Sequence, residues 1–161
     1  MVVLKFCLLG LVIVVCSLIG NAKAKIFGER YLELKKFKRG LGVFRSKLEF
    51  TYEPIREIFE DISRIVYEGE ENCFGRFVEN EDWNLAVEEQ KALSIEDKEV
   101  CKSLGKMLGK LDKEGQLNEI YLVDEFVDKQ IETAFEEKEK NEKLYKTLGR
   151  CVGIAIAIVL I

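Results

Sequence analysis

The amino-acid sequence predicts an all-α protein, a helical bundle of about five to six helices flanked by N-terminal and C-terminal membrane helices. Apolar residues recur at helical spacing through most of the 161 residues, and no alternating strand pattern of useful length appears. Both ends of the chain are apolar stretches of the kind that bilayers accept. Hydrophobic residues make up 48% of the chain and proline occurs once, which argues against disordered and collagen-like classes.

Residues 1–22 are predicted to form an N-terminal transmembrane anchor. Seventeen uncharged residues lie between Lys5 and Lys23, and at 1.5 Å per residue they reach about 25 Å, at the low end for a hydrocarbon core of about 30 Å. A cleaved secretory signal is the alternative, because residues 22–24 spell an A-x-A cleavage site. Most basic residues follow the apolar stretch, which favours an uncleaved anchor with its N-terminus outside.

Residues 23–146 are predicted to form a helical domain in the cytoplasm, because basic residues flank both apolar ends on this side. The first helix of the domain is followed by a break at Pro54, which disfavours a helical residue before it. A second apolar stripe starts at Ile55 and stops around Gly69, and short helical pieces follow. The first stripe consists of Leu34, Phe37, Leu41, Phe44 and Leu48, and the short pieces carry Phe74, Phe77, Val78, Trp83, Leu85 and Val87.

A capping-box variant at Ser94 and Asp97 predicts the start of the next helix. Gly105 and Gly109 lie four residues apart on the face of this helix that is predicted to be buried, and this spacing suggests close contact with a neighbouring helix. The predicted buried face consists of Val100, Leu104, Met107, Leu108 and Leu111.

A turn at Asp112 and Gly115 is predicted to lead into the last helix, which runs from about Gln116 to Leu148. Residues 136–143 of this helix include no apolar residue and predict a solvated stalk that continues into the C-terminal segment.

Residues 147–161 are predicted to form a C-terminal membrane segment. The last eleven residues are uncharged, which is short for a full crossing, and Arg150 precedes them. Gly149, Gly153 and Ala157 recur every four residues, so they either let two membrane helices approach closely or simply fill the helix. Homo-oligomers are compatible with this pattern.

The charges are divided unevenly along the chain, although the net charge is only −4. Residues 23–48 carry nine basic and two acidic residues, whereas residues 49–150 carry 15 basic and 27 acidic residues, so a uniformly basic nucleic-acid binder is not expected. A basic cluster on the first helix of the domain is predicted to contact anionic lipid or, alternatively, an acidic partner. The cluster consists of Lys35, Lys36, Lys38 and Arg39.

Few side chains suited to catalysis are present. Histidine is absent, and the five cysteines form no CxxC pair, so neither a structural metal site nor an activated nucleophile is expected. No glycine-rich phosphate loop with GK[ST] occurs. The sequence predicts a protein that is not an enzyme and has no cofactor.

Two motifs in the second half of the chain carry a family resemblance. Leu104-Gly105-x-x-Leu108-Gly109-x-x-Asp112-x-x-x-Gln116 is followed by Asn141-Glu142-Lys143-Leu144-Tyr145-x-x-Leu148-Gly149 and an apolar tail. This order resembles the stage III sporulation protein AB family, and Tyr52-x-Pro54-Ile55 and Trp83 resemble it less closely. The chain departs from the family pattern between Val66 and Trp83, where it is shorter, so a helix is expected to be missing or trimmed there.

The resemblance implies a component of the complex that links mother cell and forespore in endospore-forming bacteria. That complex resembles a secretion apparatus, and the cytoplasmic domain of the family is similar to the inner-membrane platform protein of type II secretion and type IV pilus systems. By this analogy of fold, the expected partners are a secretion-type ATPase, stage III sporulation protein AA, on the mother-cell side, and other channel components. The expected role is a membrane-anchored scaffold that couples the ATPase to the membrane apparatus. A regulatory or lipid-surface binding module is the alternative.

Overall fold

The computed structural model describes the backbone of residues 2–51, 53–106, 108 and 112–159, and describes side chains from residue 10 onward. Of the residues that the structure describes, 88% are helical, and they form six α-helices, one 3-10 turn and no strand. The predicted all-α class is therefore confirmed. The elements are α1 (Val2–Phe50), α2 (Ile55–Tyr67), α3 (Cys73–Asn80), α4 (Trp83–Glu88), α5 (Ile95–Ser103), the 3-10 turn (Leu104–Lys106) and α6 (Lys113–Val159).

The chain divides into two compact units. The terminal unit comprises Met1–Tyr31 and Thr133–Ile161, and the central unit comprises Leu32–Glu132. The two apolar end segments are not separate helices, because α1 and α6 run on without a break from one unit's residues to the other's. The predicted membrane boundaries, at residues 22 and 147, lie within these continuous helices and stay predictions.

The break between α1 and α2 lies where the sequence places it. The backbone N–H and the hydroxyl of Thr51 both donate to the Lys47 carbonyl at 2.7 Å, which closes the last turn of α1. Pro54 has φ −60° and ψ 144°, so it is extended and stands just before α2 rather than within its first turn. The chain then leaves α2 through Glu68 and Gly69, both in the left-handed region (φ 54° and 81°).

The shortened region between α2 and α4 still contains a helix, α3, of eight residues. Asn72 organises its start, since its side-chain oxygen accepts a hydrogen bond from the Gly75 N–H at 2.9 Å. The amide nitrogen of Asn72 donates to the Ser63 hydroxyl and to the Glu70 carbonyl, each at 2.8 Å. The side chain of Asn72 is buried, and these bonds satisfy it.

The helix predicted from Ser94 begins as expected and ends early. Ser94 and Asp97 form a reciprocal capping box, as the sequence predicts. The helix was expected to continue through residue 111, but α5 ends at Ser103. The hydroxyl of Ser103 donates back to the Val100 carbonyl at 2.6 Å, and a 3-10 turn follows. Leu108 lies in a turn, whereas Met107, Gly109 and Leu111 lie outside the described residues.

The last helix begins earlier than predicted. The Asp112 carboxylate accepts a hydrogen bond from the Gly115 N–H at 3.0 Å, and the Gln116 N–H donates to the Asp112 carbonyl at 3.0 Å. This is the geometry of an N-cap, so Asp112 and Gly115 start α6 instead of forming a separate turn. Asp112 and Gly115 do lie at an element boundary, as the sequence predicts, but that boundary is the start of α6.

An aromatic cluster forms the core of the central unit. The ring of Phe59 lies with its centroid 5.0 Å from that of Phe44, 5.1 Å from that of Phe74 and 5.4 Å from that of Trp83. Gly40 allows α1 to approach this cluster, because a Cβ there would stand 2.9 Å from the Phe74 ring. Four residues of the predicted first stripe, Leu34, Phe37, Leu41 and Phe44, are fully buried, while Leu48 is partly exposed.

Candidate functional site

In the terminal unit, the start of α1 and the end of α6 pack antiparallel with their backbones in contact. A Cβ on Gly20 would stand 2.5 Å from the Tyr145 carbonyl oxygen, and one on Gly149 would stand 2.8 Å from the Cys16 carbonyl oxygen. Because the obstructing atoms are backbone atoms, no larger residue fits at either glycine without separating the helices. Gly20 carries half of this contact. Ala24 lies four residues after it in α1 and is also buried, so this spacing of small residues is the sequence signal that could have identified Gly20.

The predicted stripe of small residues on α6 faces α1 of the same chain at two of its three positions. Gly149 approaches Gly20, and a Cβ on Gly153 would stand 3.0 Å from the Ile13 Cα. Ala157 is also buried. The structure therefore gives these glycines an intramolecular partner, while a role for them in membrane association stays a prediction.

Aromatic and charged contacts continue the helix pair towards residue 31. The ring of Tyr145 stacks on that of Phe27 with centroids 5.8 Å apart, and Tyr31 packs on Phe135 at 5.5 Å. The guanidinium of Arg30 forms an ion pair with Glu137. Asn141, another residue of the family motif, lies partly buried on α6 between these contacts.

Helix α1 is long and apolar enough to cross a membrane, by length and composition, from Gly10 onward, and among the described residues it alone meets that criterion. Only 11% of its most apolar stretch is buried. Leu11, Leu18 and Ile19 are each about 60% exposed, whereas the core helix of a soluble protein would bury such side chains. The uncharged stretch at the C-terminal end of α6 is shorter than the one in α1. Its membrane insertion stays a prediction.

In the central unit, Trp83 and Gly105 come together. The indole N–H of the buried Trp83 donates to the Cys101 carbonyl at 2.9 Å. A Cβ on Gly105 would stand 2.5 Å from Trp83 Cδ1, so only glycine leaves room for the indole here. Leu104 beside it is fully buried. The first half of the family motif, Leu104 and Gly105, thus lies in the 3-10 turn that follows α5, where Gly105 packs against Trp83.

The second half of the same motif starts α6. Asp112 caps the helix, as described above, and Gln116 is buried one turn further on. Leu108 is partly exposed, and Gly109 lies outside the described residues. The motif residues of the central unit therefore serve helix termini and packing, and their assignment as a functional set stays a prediction.

Two residues of the predicted basic cluster, Lys36 and Lys38, pair with acidic side chains in the structure. The ammonium group of Lys36 pairs with Glu70 and stands 5.5 Å from the centroid of the Tyr67 ring. Burial acts to lower the pKa of Lys38, but pairing with Asp128 and Asp124 outweighs it and the pKa is raised. Lys35 and Arg39 are exposed on α1 one turn apart. Because Lys36 and Lys38 pair within the chain, less of the charge of the cluster is left for anionic lipid than the sequence suggests.

Helix α6 exposes three large side chains in the central unit that the sequence does not single out. Tyr121, Leu122 and Phe126 are 52%, 49% and 50% exposed. We call Leu122 and Phe126, which are neighbours at i, i+4, the α6 patch. They lie off the buried stripe of α6, which consists of Gln116, Ile120, Val123, Val127 and Ala134. Comparing each apolar position with that stripe is the sequence signal that could have identified the patch.

Two buried thiols and a partly buried carboxyl group remain in the central unit. Cys73 and Cys101 are fully buried, and burial raises the pKa of both thiols, which keeps them protonated. Burial also raises the pKa of Glu33. Among the described residues, no group of three or more side chains is placed to hold a metal ion.

The fold and these contacts define a class: an all-α protein with an apolar, membrane-length N-terminal helix and a separate helical unit. The model of the stage III sporulation protein AB family matches residues 5–161, so the chain belongs to that family. It is also similar to Stage III sporulation protein AB of Bacillus subtilis (strain 168), with 23% identity over 167 residues that cover 95% of this chain and 98% of the relative. No solved structure matches the chain significantly.

Proposed function

We propose that this sporulation protein is a membrane-anchored scaffold of a secretion-like complex between mother cell and forespore. The terminal unit is the anchor, and the central unit lies in the mother-cell cytoplasm. There it holds a secretion-type ATPase, stage III sporulation protein AA, next to the membrane components of the channel. The observation that carries the proposal is the α6 patch, because it gives the central unit an uncovered surface for a protein partner.

The α6 patch has the properties of a small docking surface. Leu122 and Phe126 remain half-exposed although the same helix buries Val123 and Val127 completely. Leu122 and Phe126 are neighbours at i, i+4, and large apolar side chains that are neighbours on a surface mark interaction sites more often than scattered ones do. Glu119 and Glu125 flank the patch, and the Lys129 ammonium lies 5.5 Å from the centroid of the Phe126 ring. The complementary surface on the ATPase is therefore apolar at its centre, with charges of both signs at its rim.

The basic residues that follow the N-terminal apolar stretch support a cytoplasmic central unit. Lys23, Lys25 and Arg30 lie within two turns of that stretch, and lysine and arginine accumulate on the cytoplasmic side of membrane helices. Labelling with a membrane-impermeant thiol reagent tests the topology. Native Cys73 and Cys101 cannot report the topology. Both are buried inside the central unit, so the reagent would not reach them whichever side of the membrane the unit is on. The exposed Ser46, changed to cysteine, serves instead.

Ser46→Cys is placed in a Cys7→Ser, Cys16→Ser, Cys151→Ser background and treated in intact cells. We expect no labelling until the cells are opened. Labelling of intact cells would place the central unit outside and would exclude a cytoplasmic ATPase as its partner.

The ATPase partner is tested by co-purification with the tagged full-length chain from sporulating cells. We expect the ATPase with the wild-type chain, and at least a tenfold loss with Leu122→Asp, Phe126→Asp. Leu85→Asp is the matched control, since Leu85 is 45% exposed but lies on α4. Absence of the ATPase and of other channel components from the wild-type sample, or equal losses with patch and control variants, would contradict the proposal.

A further inference from the structure

The helix pair of the terminal unit leaves a groove beside its glycine contact. The groove encloses about 290 Å³ and is lined by Cys16, Ile19, Gly20 and Lys23 from α1 and by residues of α6 that face them. The glycines cause it, because they bring the backbones together without filling the space next to the contact. Its sides are the apolar side chains of Ile19, Leu148 and Val152, which are 59%, 52% and 44% exposed.

One end of the groove carries a positive charge. Lys23 lies three residues after Gly20, about 4.5 Å further along the helix axis. Lys23 is exposed, and no described side chain forms an ion pair with it, whereas Lys25 pairs with Glu29 at 3.3 Å. Lys23 is also the first charged residue after seventeen uncharged ones, so in a bilayer it stands at the level of the lipid headgroups.

The dimensions and the chemistry of the groove decide what can occupy it. A helix with its side chains is about 10–12 Å wide and would need small residues in the groove to pack closely there. The small residues that would admit another helix closely, Gly20 and Gly149, are already in contact with each other. A single hydrocarbon chain is narrow enough to lie between the apolar sides, and basic pockets between membrane helices bind anionic headgroups.

We infer that this groove binds one anionic phospholipid, with an acyl chain between Ile19, Leu148 and Val152 and the headgroup phosphate at the Lys23 ammonium. The inference rests on the proposed insertion of the terminal unit in the membrane. It adds a specific ligand to an anchor that the proposed function treats as inert.

The test uses the purified full-length chain in detergent with added phosphatidylglycerol or phosphatidylethanolamine, and counts bound lipids by native mass spectrometry. We expect one phosphatidylglycerol per wild-type chain and at least fivefold less phosphatidylethanolamine. Lys23→Gln should lose this preference. Lys25→Gln removes the same charge two residues away, outside the groove lining, and should keep the preference.

A second pair of variants tests the acyl chain independently of the charge. Val152→Trp should fill the groove and reduce binding of both lipids at least fivefold. Ile154→Trp adds the same bulk at a half-exposed position outside the lining and should bind like the wild type. Equal loss in the two tryptophan variants, or equal loss in the two lysine variants, would overturn the inference.

Extraction of cell membranes with alkaline carbonate separates this inference from the proposed function. A wild-type chain that stays in the membrane but shows no lipid preference contradicts the groove site alone. A chain that carbonate removes contradicts the anchor, and the lipid site with it.

Discussion

At the scale of single residues, Trp83 shows how one side chain depends on positions distant in sequence. Its indole donates to the Cys101 carbonyl and covers Gly105, and it packs on Phe74 with ring centroids 5.3 Å apart. The hydrogen bond satisfies the only polar atom of the indole, so the ring can be buried at little cost. A side chain at position 105 would displace the ring and break this bond.

Gly105→Ala is therefore expected to destabilise the protein by about 1–3 kcal/mol, the usual range for overpacking a core. Urea unfolding followed by tryptophan fluorescence measures this directly, because the chain has one tryptophan. Gly42→Ala is the control. Its Cβ would meet no atom within 4 Å on an exposed face of α1, so it should stabilise the helix by about 0.5–1 kcal/mol. Similar effects of both changes would show that the contact at Gly105 is not tight.

Glu33 gives a second prediction at this scale. Burial raises the pKa of its carboxyl group, so the folded state holds the proton more tightly than the unfolded state does. The favourable contribution of the protonated carboxyl group to the free energy of unfolding is complete below the pKa of the unfolded state. It is lost as the pH rises through the pKa of the folded state. Glu33→Gln should therefore increase the free energy of unfolding at pH 7 relative to wild type, and the gain should shrink towards pH 4.

The exposed Glu57 provides the control for that pH series. Glu57→Gln should follow the wild-type curve within about 0.5 kcal/mol at each pH. A Glu33→Gln chain that loses stability at neutral pH would show that the ionised carboxylate has a stabilising partner.

At the scale of elements, two helix boundaries that local residues set were predictable, and others were not. The cap at Ser94 and the break at Pro54 depend on residues within one turn, so the sequence is sufficient for both. The early end of α5 depends on how Trp83, from another helix, packs on Gly105. The exposure of Leu122 likewise depends on which faces of α6 the other helices cover. Neither can be inferred from spacing alone.

The helix pair of the terminal unit allows a chemical test of its register. A Cβ on Gly153 would stand 3.2 Å from the Cβ of Cys16, close to the separation in disulfides. We expect Gly153→Cys, in a Cys7→Ser, Cys151→Ser background, to form an intramolecular disulfide with Cys16 when membranes are treated with copper phenanthroline. The product should migrate as a monomer whose two fragments, after proteolysis between the helices, separate only under reducing conditions.

Gly10→Cys in the same background is the control for random collision, since a Cβ at Gly10 would meet nothing within 4 Å. It should give little intramolecular product. Disulfide-linked dimers of the Gly153→Cys chain, in place of the intramolecular product, would assign the small-residue stripe to association between copies.

At the scale of the whole molecule, composition and charge predict membrane and aqueous parts, while the contacts between side chains define two compact units. The sequence places its domain boundaries at charges, near residues 22 and 147. The compact units are bounded at Tyr31 and Thr133, within α1 and α6, which continue as helices beyond the apolar stretches. The predicted membrane boundaries stay predictions. Hydropathy reports the solvent around a helix, whereas compactness depends on the side chains that contact each other.

The central unit is predicted to fold without the terminal unit. A fragment of residues 32–132 retains the aromatic core, including Phe37, Phe59 and Trp83, and omits the exposed apolar ends. We expect it to be soluble without detergent, helical by circular dichroism, and to unfold in one cooperative transition followed by tryptophan fluorescence.

A fragment of residues 41–132 provides the comparison that makes this prediction specific. It lacks Leu34 and Phe37, which are fully buried, and losing two such side chains removes more stability than a marginal domain of this size has to spare. The fragment of residues 41–132 should therefore be unfolded under the conditions in which the fragment of residues 32–132 is folded. If the two fragments unfold alike, the core of the central unit does not include residues 32–40 of α1, and the boundary of the unit lies further along the chain.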